Sequence, residues 1–462
     1  MNSGTIEGGP TRTLPTQRPA RRQARTGRGR LRLGGSLLSS LPKPDAVEWS
    51  LVYVFFLYVI PSRLVVPALG SAGAISMLVG LTSIVGWGVF QLSRISSTAD
   101  PWQTRPVRRC LVAFWLCVGI SFVVAMTRPI AADEVSPALV AILAVLSWSG
   151  ILLVVNDGVT TLERINVLTT GVAQAGGVLA LLGLAQFATG DPIVDRISIP
   201  GLSSAPTELF MRDGFIRPFA TATHPIEFGL ILAMLAPVAL HSAFHGRHYN
   251  GLTQWFPVAA IATCFALTFS RSAYVAGGVA LLVLLAGWPR KTRKVVLIGM
   301  TGIGIMLAAA VPRLFGVVNA MFRNVSTDPS IASRTDSYDL AWSFVGHDPL
   351  FGRGLGTFLP KYRIFDNEYL ALLVSVGFVG AAAFVALVVA GLWCGARVYY
   401  RASTPATKDL GLTLVASLLS GGVGMATFDG FAFPMTMGTF FLLLGLAGAT
   451  HRIIVTSESE HT

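Results

Sequence analysis

Apolar runs long enough to cross a lipid bilayer recur along this sequence, and no other feature limits the fold as strongly. The hydrocarbon core is about 30 Å thick and a helix rises 1.5 Å per residue, so a span needs about 20 apolar residues. Such runs lie near residues 49–68, 72–92, 110–127, 137–155, 166–187, 224–243, 253–270, 272–288, 294–312, 368–395, 409–427 and 431–450. The first is interrupted by Pro61 and Arg63, and the turn between the seventh and eighth, at Ser270-Arg271, is very tight. The expected fold is all-α: a polytopic membrane protein of about 12 transmembrane helices with a large external loop containing short helices.

Composition agrees. Of 462 residues 53% are hydrophobic and only 13% charged, against about 25% charged in a soluble chain. Residues 47–450 therefore read as one membrane domain. The net charge of +12 suggests a nucleic-acid partner until its distribution is considered. Eight arginines fall between Arg12 and Arg32, in a stretch rich in Pro, Gly, Thr and Gln. Residues 1–46 cannot bury a core and are expected to form a disordered, basic cytoplasmic tail that touches anionic lipid, with no nucleic acid bound. The first apolar run starts near Trp49 with no small-residue cleavage site after it, so the tail is not a secretory signal. Cys110, Cys117, Cys264 and Cys394 lie in or beside apolar runs without metal-ligand spacing and read as buried thiols.

Sidedness follows from Lys and Arg in the connections. With the N-terminus cytoplasmic, Arg94, Arg105, Arg108 and Arg109, then Arg164, then Arg247 fall on the same side. Arg290, Lys291, Arg293 and Lys294, then Arg397, Arg401 and Lys408, and finally Arg452 join them. The opposite connections are mixed or acidic, as at Asp133-Glu134. An even number of spans leaves both termini cytoplasmic, with residues 451–462 as a C-terminal tail. Two external connections are long, about 188–223 and 313–367, and function at an outer face should concentrate there.

Three segments carry candidate chemistry. The first runs from Arg217 through His224-Pro225 to Glu227 at the outer mouth of the sixth span. Pro225 suits a first helical turn. Glu227 is either an acidic residue favoured by the helix dipole or a carboxylate in a cavity, since ionisable groups within a membrane are costly. The second is Ser270-Arg271-Ser272, where the arginine either snorkels to lipid head groups or grips a phosphate. The third is the large loop. Tyr338, Leu340, Ala341, Trp342 and Val345 are spaced for an amphipathic helix. Gly352, Gly354 and Gly356 lack the preceding strand of a nucleotide loop and read as a turn with close backbone approach. The loop ends in Asp366-Asn367-Glu368-Tyr369-Leu370, where Asp366 is either an N-cap or a functional carboxylate.

Together these segments resemble the O-antigen ligase and O-antigen polymerase superfamily of bacterial membrane glycosyltransferases. That family pairs an Arg…His-Pro segment opening one span with a Ser-Arg-Ser turn between later spans. A large external loop follows, of the form Ser-Arg…Trp…Pro-x-x-Gly-x-Gly-x-Gly-x-Phe, closing on His-Asn or Asp-Asn before Tyr-Leu. Here these are Arg217/His224-Pro225, Ser270-Arg271-Ser272, Ser333-Arg334, Trp342, Pro349 to Phe358, and Asp366-Asn367. Order and topology agree over roughly 165–395. Ligases of the family usually carry His before that Asn; Asp366 is more at home among polymerase-like and exopolysaccharide members.

The resemblance implies glycosyl transfer at the outer face of the plasma (inner) membrane, without metal or other cofactor. The donor would be a polyprenyl-diphosphate-linked glycan and the acceptor a sugar hydroxyl on a glycan or lipid. Other polysaccharide-assembly proteins are possible partners. Arg217, Arg271 and Arg334 would bind the diphosphate, since guanidinium is planar, permanently charged and bidentate. Asp366 is the first choice of general base, with Glu227 and His224 behind it; Trp342, Gly352, Gly354 and Asn367 would shape the loop. Polytopic transporters and lipid-linked-glycan flippases are the competing reading. A transporter of this size often shows two related halves, and no such duplication is visible.

Overall fold

The computed structural model describes residues 45–93, 105–203, 209–246, 251–323 and 329–459, together with Gly4 and Gly9. The basic tail expected over residues 1–46 lies, up to Pro44, outside these apart from the two glycines. Fourteen α-helices are described. They are α1 (Ala46–Val59), α2 (Ile75–Ser93), α3 (Pro106–Thr127), α4 (Ala132–Gly158), α5 (Leu162–Thr189), α6 (Pro225–His245) and α7 (Gly251–Ala266). Then come α8 (Arg271–Gly287), α9 (Arg290–Ala310), α10 (Leu314–Arg323), α11 (Pro329–His347), α12 (Glu368–Arg401), α13 (Pro405–Met425) and α14 (Pro434–Ser459).

Each of the twelve expected runs coincides with a helix. Eight (α2–α6, α9, α12 and α14) are long and apolar enough to cross a membrane by length and composition. The shortfall from twelve has local reasons. Pro61 follows α1 closely and leaves it 14 residues, and the turn at 267–270 limits α7 and α8 to 16 and 17. α13 has 21 residues but is diluted by Gly, Ser and Thr. α14 continues to Ser459, past the boundary expected at 450.

Burial sorts the helices. In α6 and α14, 83% of the apolar window is inside the protein, whereas in α9 it is 11%. The first two are apolar all round because they form the centre; α9 shows most of its surface outward. The main core joins side chains of α1, α3–α6 and α12–α14 around Phe114, Phe228, Phe384, Phe440 and Phe441.

Ion pairs tie helices together at both ends of the bundle: Arg128 and Arg353 hold Glu134 at the end that carries the large loop, and a second set lies at the opposite end. Asp45, capping α1, pairs with Arg164 in the first turn of α5. Asp157, near the end of α4, takes Arg105 and Arg108 from the start of α3. Arg452 of α14 donates to the carbonyls of Asn156, at 3.1 Å, and Val159. These arginines belong to the connections that the charge pattern grouped on one side.

At the other end α12 is broken at Gly377, whose φ is +68°. The glycine-rich stretch of the large loop fills the break. Arg353 N donates to Val374 O (2.9 Å), Gly354 N to Ser375 O (2.8 Å) and Phe378 N to Pro349 O (2.8 Å). Ser121 of α3 adds a bond to Ser375 O at 3.0 Å. An unpaired backbone group in lipid costs several kcal/mol, so the loop supplies what the interrupted helix lacks. Only glycine fits: Gly352 has φ +66°, and a Cβ there would stand 2.5 Å from Gly377 N.

Gly352→Ala should therefore lower the thermal midpoint of the detergent-solubilised protein. The left-handed φ alone costs about 1–3 kcal/mol in a non-glycine residue, and the backbone clash adds to it. A midpoint equal to wild type would remove the plug from the account.

The helix expected across the large loop is α11, but its buried face is narrower than the sequence pattern suggests. Ser337, Ala341 and Val345, spaced by four, are buried. The latter two pack with Phe365, Leu370 and Val374. Tyr338, Leu340 and Trp342 are exposed.

Candidate functional site

Arginines gather around the turn between α7 and α8. A two-residue hairpin, β1 (Met211–Arg212) and β2 (Phe215–Ile216), is closed by Asp213 and Gly214, both with positive φ, the conformation a tight hairpin turn requires. Arg212 donates to Phe269 O and Arg217 Nε to Thr268 O, each at 3.3 Å. Phe269 itself has φ +46° and a fully buried ring 5.3 Å from that of Phe215. Two residues on, Arg271 opens α8 and reaches Met321 O of α10 at 3.4 Å. Arg217, Arg212 and Arg271 thus bracket one turn. Burial and, secondarily, the charge of Arg212 push the Arg217 guanidinium down to about 10; a bound anion would relieve both.

Below this turn lies an apolar cavity of about 710 Å³ between α6, α7, α8, α9 and α10. Tyr274, Leu314 and Phe322 line it near the arginines, and Leu240, Trp255 and Val296 line it near the opposite ends of these helices. It therefore runs along much of the bundle's height. Its lining is carbon almost throughout, and the hydroxyl of Tyr274 donates to Ala266 O, at 2.8 Å.

A second polar cluster forms where α12 starts. Asn367 is the N-cap, its Oδ1 accepting from Tyr369 N (3.1 Å) and Leu370 N (3.3 Å). Asp366 is therefore not the cap; it precedes it with φ +50°. Asn367 N donates to Asp429 Oδ1 at 3.3 Å, and Phe431 N donates to Glu368 Oε2 at 2.9 Å. The segment between α13 and α14 is thus tied to the end of the large loop. Half-buried Asp429 has its pKa pushed up to about 6, by burial first and then by the neighbouring charge of Asp366; backbone N–H groups offset part of this.

Residues 256–385 match the family model described as O-antigen ligase. This segment belongs to the O-antigen ligase/polymerase superfamily. It runs from within α7 into α12 and so holds Arg271, α11, the glycine plug, Asp366 and Asn367. No curated protein matches the chain.

Of the other expected site residues, Arg217, His224 and Glu227 precede this O-antigen ligase segment and the rest lie within it. His224 caps α6: its Nδ1 accepts from Ile226 N at 3.1 Å, so the other ring nitrogen carries the proton. Burial and then Arg217 hold its pKa near 4, so it is neutral at neutral pH. Its ring packs 4.5 Å from Phe210 and 6.2 Å from Phe433, between the arginine turn and the 429–436 segment. Glu227 has no exposure. One oxygen accepts from Thr223 N and Oγ1 (both 2.8 Å), the other from Met435 N (3.0 Å) and Thr436 N (3.3 Å). It joins the N-termini of α6 and α14. Gly352 and Gly354 sit in the plug, and Trp342 lies 6.2 Å from Phe378. Arg334 falls on the α11 backbone, and its side chain lies outside the described residues.

The structure thus gathers Arg217 with Arg271 at one turn, and brings Asp429 to the adjacent Asp366 and Asn367. Sequence reasoning passed over Arg212 and Asp429. Asp213-Gly214 between apolar Met211 and Phe215 is a hairpin signal that would have set Arg212 near Arg217. Asp429, 63 residues after Asp366, offers no comparable local signal.

Proposed function

We propose that this protein transfers or polymerises glycan from a polyprenyl-diphosphate-linked donor onto a sugar hydroxyl. The work takes place at the outer face of the bacterial plasma membrane, in O-antigen or exopolysaccharide synthesis. The family match supports lipid-linked glycan processing of the ligase or polymerase type. The observation that carries the finer reading is the placement of Arg212, Arg217 and Arg271 above a long apolar cavity. A polyprenyl diphosphate has that polarity: an anionic head on a hydrocarbon tail. Both termini are then cytoplasmic and residues 313–367 external.

In the reaction the acceptor oxygen bonds to the anomeric carbon as that carbon's bond to the diphosphate oxygen breaks. Charge collects on the leaving diphosphate, where fixed guanidinium groups in a water-poor site stabilise it most. The hydroxyl proton passes to the Asp366–Asp429 carboxylate pair. Glu227 joins helices in this scheme, and His224 offers a neutral N–H. Arg334, on α11, remains a candidate third contact to the donor. Asp366 in place of His favours polymerisation over ligation.

The lipid-linked glycan profile of a deletion strain tests the assignment. A polymerase defect leaves single repeat units and a ligase defect leaves long unattached polymer, each restored by the wild-type gene. Normal profiles, or undecorated donor held at the cytoplasmic face as for a flippase, would reject it.

A further inference from the structure

At the end of the bundle that holds Asp45 and Asp157, far along α6 from His224, a cluster remains that glycosyl transfer does not use. His241 and His245, one turn apart on α6, face Asp409 near the start of α13. His241 Nδ1 lies 2.6 Å and His245 Nε2 3.5 Å from Asp409 Oδ2. Trp288, capping α8, donates from Nε1 to Asp409 Oδ1 at 2.6 Å. We propose that His241, His245 and Asp409 form a binding site for a divalent transition-metal ion of the Zn2+ type, which clamps the ends of α6, α8 and α13 together.

Four observations converge. The three donor atoms lie within 4.8 Å of one another. Tetrahedral ligands about 2.0–2.1 Å from a metal stand roughly 3.3 Å apart, close to the His245–Asp409 separation. Imidazole nitrogen with carboxylate is a donor set for first-row divalent ions. Trp288 orients the carboxylate from behind, as groups around metal ligands commonly do.

The charge balance points the same way. Asp157 and Asp45 at this end are matched by arginines. Asp409 is 8% exposed, and among the described residues its recorded side-chain partners are two imidazoles and an indole. A cation there would also sit against the carboxyl end of α6, where the helix dipole favours positive charge. His245, 30% exposed, leaves the cluster reachable. On binding, the ion takes the place of the proton between His241 Nδ1 and Asp409 Oδ2, and the imidazole keeps its single N–H on Nε2.

The test uses full-length protein in detergent, purified without a polyhistidine tag and stripped with chelator. Titration with Co2+ should produce ligand-field absorption that saturates at one equivalent and is displaced by Zn2+. His245→Ala should abolish the band, and Trp288→Phe should weaken affinity about 10–100-fold. His347→Ala, an exposed ring at the end of α11, should leave it unchanged. A wild-type protein with no saturable band overturns the proposal, as does a His245→Ala variant that binds Co2+ like wild type. His245 is partly exposed, so its removal leaves a folded protein to measure. Glycan transfer is not the readout, so failure here leaves the functional assignment untouched.

Discussion

Arg271→Ala should lower glycan transfer about 10²–10³-fold at unchanged protein level in the membrane, the usual cost of removing one preorganised group from developing negative charge. Arg217→Ala should do the same. The two flank one turn, Arg217 through Thr268 O and Arg271 as the first residue of α8, so each loss leaves the other guanidinium in place. Lysine at either position keeps the charge and forfeits the planar fork, and should fall between alanine and wild type. Release of polyprenyl diphosphate by reconstituted protein is the measurement. Full activity in both alanine variants would remove the arginines from the mechanism. Arg212 supplies an internal comparison, because it contributes charge at the same turn from the hairpin.

The second large effect belongs to the carboxylates. Asp366→Asn should cost about 10²–10⁴-fold in turnover, the range of a positioned general base, while donor binding is largely retained. The pH profile separates a base from a scaffold. Asp429 is pushed up to about 6 by burial and by Asp366, so the pair holds an extra proton below that pH. The sign is then fixed: a base is inactive when protonated, and activity should climb as pH rises through about 6 and level off above it. Asp429→Asn removes the group that titrates there, and the acid limb near pH 6 should disappear. A profile flat from pH 5 to 8 in wild type, or one unmoved by Asp429→Asn, would exclude the pair as the proton acceptor.

The membrane spans were legible because apolar length is a one-dimensional property. Pro61 and the tight turn at Ser270-Arg271 stood out in the sequence, but the shortness of α7 and α8 did not. The Pro-x-x-Gly-x-Gly motif was legible as a place of close backbone approach. Its target, the break at Gly377, was not, since nothing in a run such as Val374-Ser375-Val376-Gly377 says that a distant loop supplies its hydrogen bonds. Glu227 shows the same limit from the other side. Its position in the first turn of α6 fitted both a dipole-favoured residue and a catalytic one. What distinguishes them is α14, more than 200 residues later, whose Met435 and Thr436 amides it accepts. Asn367 rather than Asp366 capping α12 turns on the φ of one residue, and Asp429 joins the site only through folding.

The filling of the helix break by residues 349–354 bears on how the chain is made. Those residues, and the α3 serine that steadies Ser375, precede the break in sequence and leave the ribosome before it. When the 374–379 backbone reaches the bilayer, its partners already exist. Biogenesis therefore runs in the favourable order: the patch is synthesised ahead of the hole. A circular permutant opened within residues 359–362, which delivers the break before the loop, would have to hold unpaired amides in lipid until the loop arrived.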